Sequence, residues 1–197
     1  MIYLNQLDYP DMPYTTDLDN GGAPAEKCNV AAAGCGPCSL CMVVEGLTMA
    51  HLDLTECLRL SHEAGADRRL GTSLAILGPV IAEKYGLSYR NTSDPGEMAE
   101  HLRRGGLVIA NSGGDREGYT GVFTHGGHYV TVLSVSDGIC CILDPSWKPG
   151  KYDEEGRKGL VREAYPYMYC SLETLAKDCE NRDPAYHLFA RQSDPVR

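Results

Sequence analysis

No stretch of this 197-residue sequence comes near the roughly 18 consecutive apolar residues that a membrane-crossing helix needs. The opening segment, MIYLNQLDYPDMPY, has neither the basic region nor the apolar region of an export signal. A cytoplasmic location is therefore expected of the chain as given, with export following only if the sequence has been trimmed. Basic residues are a minority, 18 against 27 acidic ones, for a formal charge of −9. A phosphate-binding surface would have to be built against that field, which argues against nucleic acid and anionic membranes as partners. No internal repeat and no low-complexity tract is present. An even set of cysteines is lacking too: there are nine, which cannot all pair, and the chain is too long to need a disulfide frame. Most of them read as small buried hydrophobes in a reducing compartment. The adjacent Cys140 and Cys141 read as strand positions facing opposite ways.

What is present is ordinary globular material, 43% hydrophobic and 23% charged, enough for one domain with a sizeable core. Residues 1–5 are expected as a short strand, and 8–27, rich in Asp, Asn, Gly and Pro, as a loop. Helices are expected over 36–46, with Pro37 in the first turn, over 53–64 with Asp53 as cap, and over 73–85 despite Pro79. The best-marked helix is SDPGEMAEHLRRGG, with Ser93 or Asp94 capping, Pro95 entering and arginines in its last turn. Strands follow: 107–111, then 128–136 and 139–144 joined by an Asp137-Gly138 turn. More strand is expected near 159–169 and over 185–191, with a short helix over 171–178. Helices first and antiparallel sheet second is an α+β pattern, with a helical lobe over about 1–106, a sheet lobe over about 107–197 and a cleft between them.

The stretch AAAGCGPCSLC places Cys35, Cys38 and Cys41 three apart, and three chemistries compete for it. As a redox couple, Cys35-Gly-Pro-Cys38 lacks the preceding strand and βαβ unit of thiol oxidoreductases. As a metal or cluster site, with Cys28 as a fourth thiolate, the set is spread through roughly 600° of helix rotation and has no second pair downstream. As a nucleophile at a helix start, one cysteine gains from unpaired N–H groups and the helix dipole, which hold the thiolate. That last reading needs a base and a group to orient it. The hairpin supplies both: His128 opens its first strand and Asp144 closes its second. Counting symmetrically from the turn sets 128 beside about 147, within a few residues of 144.

Taken together, GCGPCSLCMVVEGLT, GGHYVTVLSV and CILDPS resemble the papain-like cysteine peptidases of the bacterial double-glycine-leader, bacteriocin-processing family, and in particular its stand-alone relatives. The resemblance runs in order through roughly residues 1–150. It implies a papain-like fold with a nucleophile helix packed on an antiparallel sheet. It implies Cys35 as nucleophile, with Cys38 as the alternative, His128 as base and Asp144 as its orienting carboxylate. The family carries a glutamine before the nucleophile as oxyanion donor; here Asn29 stands at the close spacing and Gln6 farther upstream. Gln6 is the first choice and Asn29 the second.

The expected function is thus a cysteine-dependent hydrolase that cleaves a peptide or other amide bond through a Cys-His-Asp triad and a thioester, with a peptide or protein as partner and with no cofactor and no metal. The alternatives are a catalytically silent or transferase member of the same fold that binds peptides, and a thiol redox or metal protein using Cys35, Cys38 and Cys41. His125 forms a weak H-x2-H pattern with His128. His51, His62 and His101 read as solvated. The glycine-rich 113–123 segment reads as a mobile loop over the cleft, and Trp147 as a shield for the pair or as core.

Overall fold

The computed structural model describes residues 2–14, 28–68 and 71–192. Its pivot is helix α2 (Cys35–Leu47), preceded by a single turn, α1 (Val30–Ala33). Every residue of α2 from Cys35 to Val44 is buried. A helix apolar on all sides has to be surrounded. Helices α3 (Leu54–Glu63) and α4 (Leu74–Lys84) cover it on one side, and a large sheet covers it on the other. Asp53 caps α3 by accepting from the Thr55 N–H. Pro79 is carried inside α4, so the helix continues where the sequence warns of a kink. A two-residue hairpin, β1 (Asp67–Arg68) and β2 (Gly71–Thr72), lies between α3 and α4.

The main sheet has seven antiparallel strands in the order β3-β9-β4-β5-β6-β8-β7. They are β3 (Leu87–Thr92), β4 (Leu107–Ser112), β5 (His128–Ser136), β6 (Ile139–Leu143), β7 (Arg162–Ala164), β8 (Tyr167–Ser171) and β9 (Tyr186–Arg191). Strand alternation builds two cores. Leu107, Ile109 and Phe189 point into the core shared with α2, α3 and α4. Val108, Ala110, Tyr186 and Leu188 point into the opposite core, with Met98 and Leu102 of α5 (Pro95–Arg103) and Leu175 of α6 (Leu172–Cys179). Cys140 is buried in that second core while Cys141 is only half-buried, as alternation requires.

The fold is α+β, as expected, but several local expectations are corrected. Residues 2–5 form no strand. They run irregularly into a 3-10 turn over Gln6–Asp8, because their polar groups bond to residues 144–147 instead of to a ladder. Of the expected loop, residues 15–27 lie outside the described residues. Strand β3 was not foreseen: it pairs with β9, far later in the chain. The sheet therefore takes in a segment before residue 107, and α5 covers its second face, so the division near 106 does not separate helices from strands. The 113–123 segment is anchored to α6: the Asp178 carboxylate accepts from the N–H groups of Val122 and Phe123, from Tyr119 and from Ser112. His101 is half-buried, 2.8 Å from the Phe189 carbonyl oxygen, where burial holds its ring below the ordinary value.

His187 on β9 is buried against Tyr89, whose hydroxyl lies 2.9 Å from Nδ1, while Nε2 has no partner. Burial lowers its pKa to about 4. The unfolded chain takes up this proton near the ordinary histidine value and the folded chain only near pH 4. Stability held above about pH 6.5 is thus lost as the pH falls toward 4, by up to about 3 kcal/mol. Urea titrations of His187→Leu should show a shallower fall over that interval than the unaltered chain, whatever the variant's stability at pH 7.

Candidate active site

The Asp137-Gly138 turn has both residues at positive φ, 49° and 76°, the arrangement that closes a tight two-residue hairpin. From it β5 and β6 pair until a bulge between Val132 and Ser134 shifts the register, so that Thr131 lies opposite Leu143. Continued three positions, that register sets Ser146, not residue 147, opposite His128. The hairpin thereby delivers Asp144 to the imidazole: His128 Nε2 is 2.8 Å from Asp144 Oδ1. Ser146 Oγ lies 3.0 Å from the same nitrogen, and the Ser146 N–H donates to Asp144 Oδ1 at 2.9 Å. With Nε2 so engaged, Nδ1 is the ring nitrogen left free to face the thiol of Cys35, which lines the same cleft as the ring.

Cys35 opens α2 after Gly34, which offers no side-chain cap, so the first-turn N–H groups remain available. Burial works to raise the Cys35 thiol. The hydrogen bond and charge of His128, with the backbone N–H groups of Tyr129 and Gly36, outweigh it and bring the thiol below its ordinary value. Burial likewise works to lower the His128 ring, but Asp144 and Cys35 raise it above the usual histidine value. For Asp144 burial pushes upward. The Lys151 charge and the His128 hydrogen bond outweigh it and hold the carboxyl well below the usual carboxylate range. The arrangement therefore favours a thiolate facing an imidazolium.

The structure brings Cys35, His128, Asp144 and Gln6 together and leaves Asn29, Cys38 and Cys41 elsewhere. Gln6 lies with Cys35 and His128 along one cleft of about 330 Å³. Its Nε2 donates one hydrogen to the Ala31 carbonyl at 2.7 Å, and its Oε1 is buried without a partner. Asn29 caps α1, accepting from the Ala32 N–H at 2.9 Å. Cys38 and Cys41 are fully buried in the core between the helices, Cys41 beside Cys57, and burial pushes the Cys38 thiol far up. Cys28 is half-buried next to the bridge between Pro13 and Asn29. Among the described residues no three His, Cys, Asp or Glu side chains are placed to hold a metal. His125 is exposed and sits 2.9 Å from both Asp115 and Glu154. Trp147 packs on Tyr165 with ring centroids 4.7 Å apart, and its indole N–H donates to Glu163.

Sequence reasoning missed Lys151, Tyr152 and Ser146. Lys151 Nζ donates to Asp144 Oδ2 at 2.5 Å and to Ser146 Oγ at 2.7 Å, and Tyr152 OH donates to Asp144 Oδ2 at 2.6 Å. Both side chains are buried. A lysine in a glycine-flanked turn gives no warning of this, since lysines are almost always solvated.

Neither a scan against protein-family models nor a search of curated proteins finds a match. Among solved structures, the chain is similar to the crystal structure of the peptidase domain of Streptococcus ComA, a bifunctional ABC transporter involved in a quorum-sensing pathway. The TM-score is 0.52 at 16% identity, over 80% of this chain and 91% of that one. The likeness is one of fold: a papain-like α+β arrangement with a large antiparallel sheet. No helix among the described residues is long and apolar enough to cross a membrane.

Removing one partner of a buried ion pair leaves the other charge stranded and costs roughly 3–5 kcal/mol. Lys151→Met should therefore lower the unfolding free energy at pH 7 by about 3 kcal/mol in urea titration. A loss within about 0.5 kcal/mol, the ordinary range for a surface substitution, would show that Lys151 is solvated and does not neutralise Asp144.

Proposed function

We propose that this chain is a cysteine-dependent hydrolase that cleaves a peptide or other amide bond. Cys35, held as thiolate, attacks the carbonyl carbon. His128 carries the proton and delivers it to the leaving amine, and Asp144 keeps the imidazole oriented and stabilises its charge. The resulting thioester is hydrolysed by water, with His128 acting as base. Gln6, through its second amide hydrogen, and the Cys35 backbone N–H serve the developing oxyanion. The observation that carries this reading is the meeting of one thiol and one imidazole that line a cleft with one carboxylate buried behind the ring, all three shifted toward their charged forms. The likeness of fold to a peptidase domain supports it independently. Cys35 is preferred to Cys38 because it faces the cleft, whereas Cys38 is sealed in the core with its thiol pushed up.

Alkylation by iodoacetamide, mapped to Cys35 by mass, tests the nucleophile. In the unaltered chain it should already be fast at neutral pH, because the lowered thiol pKa places the rise below the ordinary thiol range. His128→Ala should slow it at pH 7 by about tenfold or more, as the remaining burial pushes the thiol back up. Equal rates in the two proteins would sink the pairing. For peptide turnover, Gln6→Ala should lower kcat by roughly 10²–10³ if Gln6 is the oxyanion donor. An unaltered kcat would assign that role elsewhere.

A further inference from the structure

The cleft beside Cys35 carries charge that the reaction chemistry does not use. Besides Gln6, Thr72 and Asn111, it is lined by two arginines, Arg68 and Arg182. Most other described arginines in this acid-rich chain are matched to carboxylates, among them Arg59 with Glu56 and Glu63, Arg90 with Glu97 and Arg116 with Glu180; Arg162, stacked on Tyr169, and Arg191, bonded to the Leu47 carbonyl, are not. Nor are the two in the cleft. Arg68 gives its Nε–H to the Gly65 carbonyl at 2.7 Å, and Arg182 gives an Nη2 hydrogen to the Gly113 carbonyl at 3.3 Å. Among the described residues neither forms an ion pair, and the buried Nε of Arg182 has no hydrogen-bond partner.

Their placement is specific. Arg68 stands on the β1–β2 hairpin, on the helical side of the cleft, and Arg182 follows α6, on the sheet side. The Arg182 guanidinium lies over the backbone that leads into the base: a Cβ on Gly127 would come within 2.9 Å of its Nη2. A side chain at 127 would displace the guanidinium from beside His128. A buried donor left unsatisfied costs free energy that a complementary acceptor would recover. For a guanidinium fork the matching acceptor is a planar carboxylate bound through two N–H groups. An acidic substrate also meets an overall charge of −9, so a local cationic pair is what would let it approach.

We propose that this cleft recognises a carboxylate carried by the substrate next to the bond that Cys35 attacks, with Arg182 as its main anchor and Arg68 facing it across the cleft. This rests on the reading of Cys35 as nucleophile. The carboxylate has two possible sources, an Asp or Glu side chain of the peptide or the peptide's free C-terminus.

Paired alkylating reagents test the recognition without a known substrate. Iodoacetate and iodoacetamide react by the same displacement, and only the first carries the carboxylate. The rate ratio at Cys35, normalised to that of free glutathione, should fall at least fivefold in Arg68→Gln/Arg182→Gln, and the fall should shrink in high salt. Arg68→Gln alone, at an exposed side chain, keeps the test standing if the Arg182 change disturbs folding. A normalised ratio that is the same in the unaltered chain and the variants overturns the proposal and leaves the nucleophile standing. Failure of iodoacetamide to modify Cys35 in the unaltered chain removes the nucleophile reading and this proposal with it. Fluorogenic peptides with Glu, Gln or Lys before the cleaved bond, and peptides ending in a free acid or an amide, then assign the source. About tenfold higher kcat/KM for Glu over Gln points to a side chain, and the same preference for acid over amide points to a terminus. Preference for neither overturns the proposal.

Discussion

A single buried carboxylate sets the terms for the rest of the molecule. Asp144 is wholly removed from water, which costs several kcal/mol for an ion unless its lone pairs are met. They are met by His128, by the backbone and hydroxyl of Ser146, by Lys151 and by Tyr152. Satisfying that demand explains why β6 stops at Leu143, why the chain turns at once, and why it folds Lys151 and Tyr152 back into the interior. The same network fixes the imidazole, and the imidazole in turn fixes the electrostatics of Cys35.

The three groups are intelligible only as a set. Burial by itself would neutralise each of them, favouring a thiol, a neutral ring and a carboxylic acid. Each is driven the other way by its neighbours, with Lys151 supplying the positive charge that lets Asp144 stay ionised beside an imidazolium. The pull of Cys35 toward thiolate and of His128 toward imidazolium is sustained by the Asp144 carboxylate behind the ring, while the Lys151 ammonium keeps that carboxyl ionised and works against the charge on the ring. Four ionisable groups are thus in contact, and Cys35 and His128 are the two that line the cleft.

Where the sequence was readable, the signals were short-range and unambiguous. Pro37 and the apolar spacing of Leu40, Val43, Val44 and Leu47 marked the start and course of α2, and Asp137-Gly138 marked the hairpin. The meeting of His128 and Asp144 followed from counting across that turn, although the bulge after Val132 moved the register by one residue and put Ser146 opposite the ring. Features that depend on distant partners were not readable. Strand β3 has one fully buried residue, Leu87, and is defined by its pairing with β9. Asp178 on α6 looks like one more solvated helix carboxylate, yet it pins the 113–123 segment. Gln6 reaches the cleft on a 3-10 turn whose hydrogen bonds lie on the far side of the sequence.

That turn is held in an unusual way. The Gln6 N–H donates to the Pro145 carbonyl at 2.6 Å, Tyr3 OH to the Asp144 carbonyl at 2.7 Å, and Asn5 Nδ2 to the Trp147 carbonyl at 2.7 Å. All three bonds stitch the same short strap to the peptide just behind the carboxylate, and none involves the sulfur or the ring. Peeling the strap away would strip the cleft of its amide while leaving Cys35, His128 and Asp144 in place. On the proposed reading, reactivity toward alkylating agents and competence in acyl chemistry would be separable within one fold, the second alone depending on the few residues of this strap.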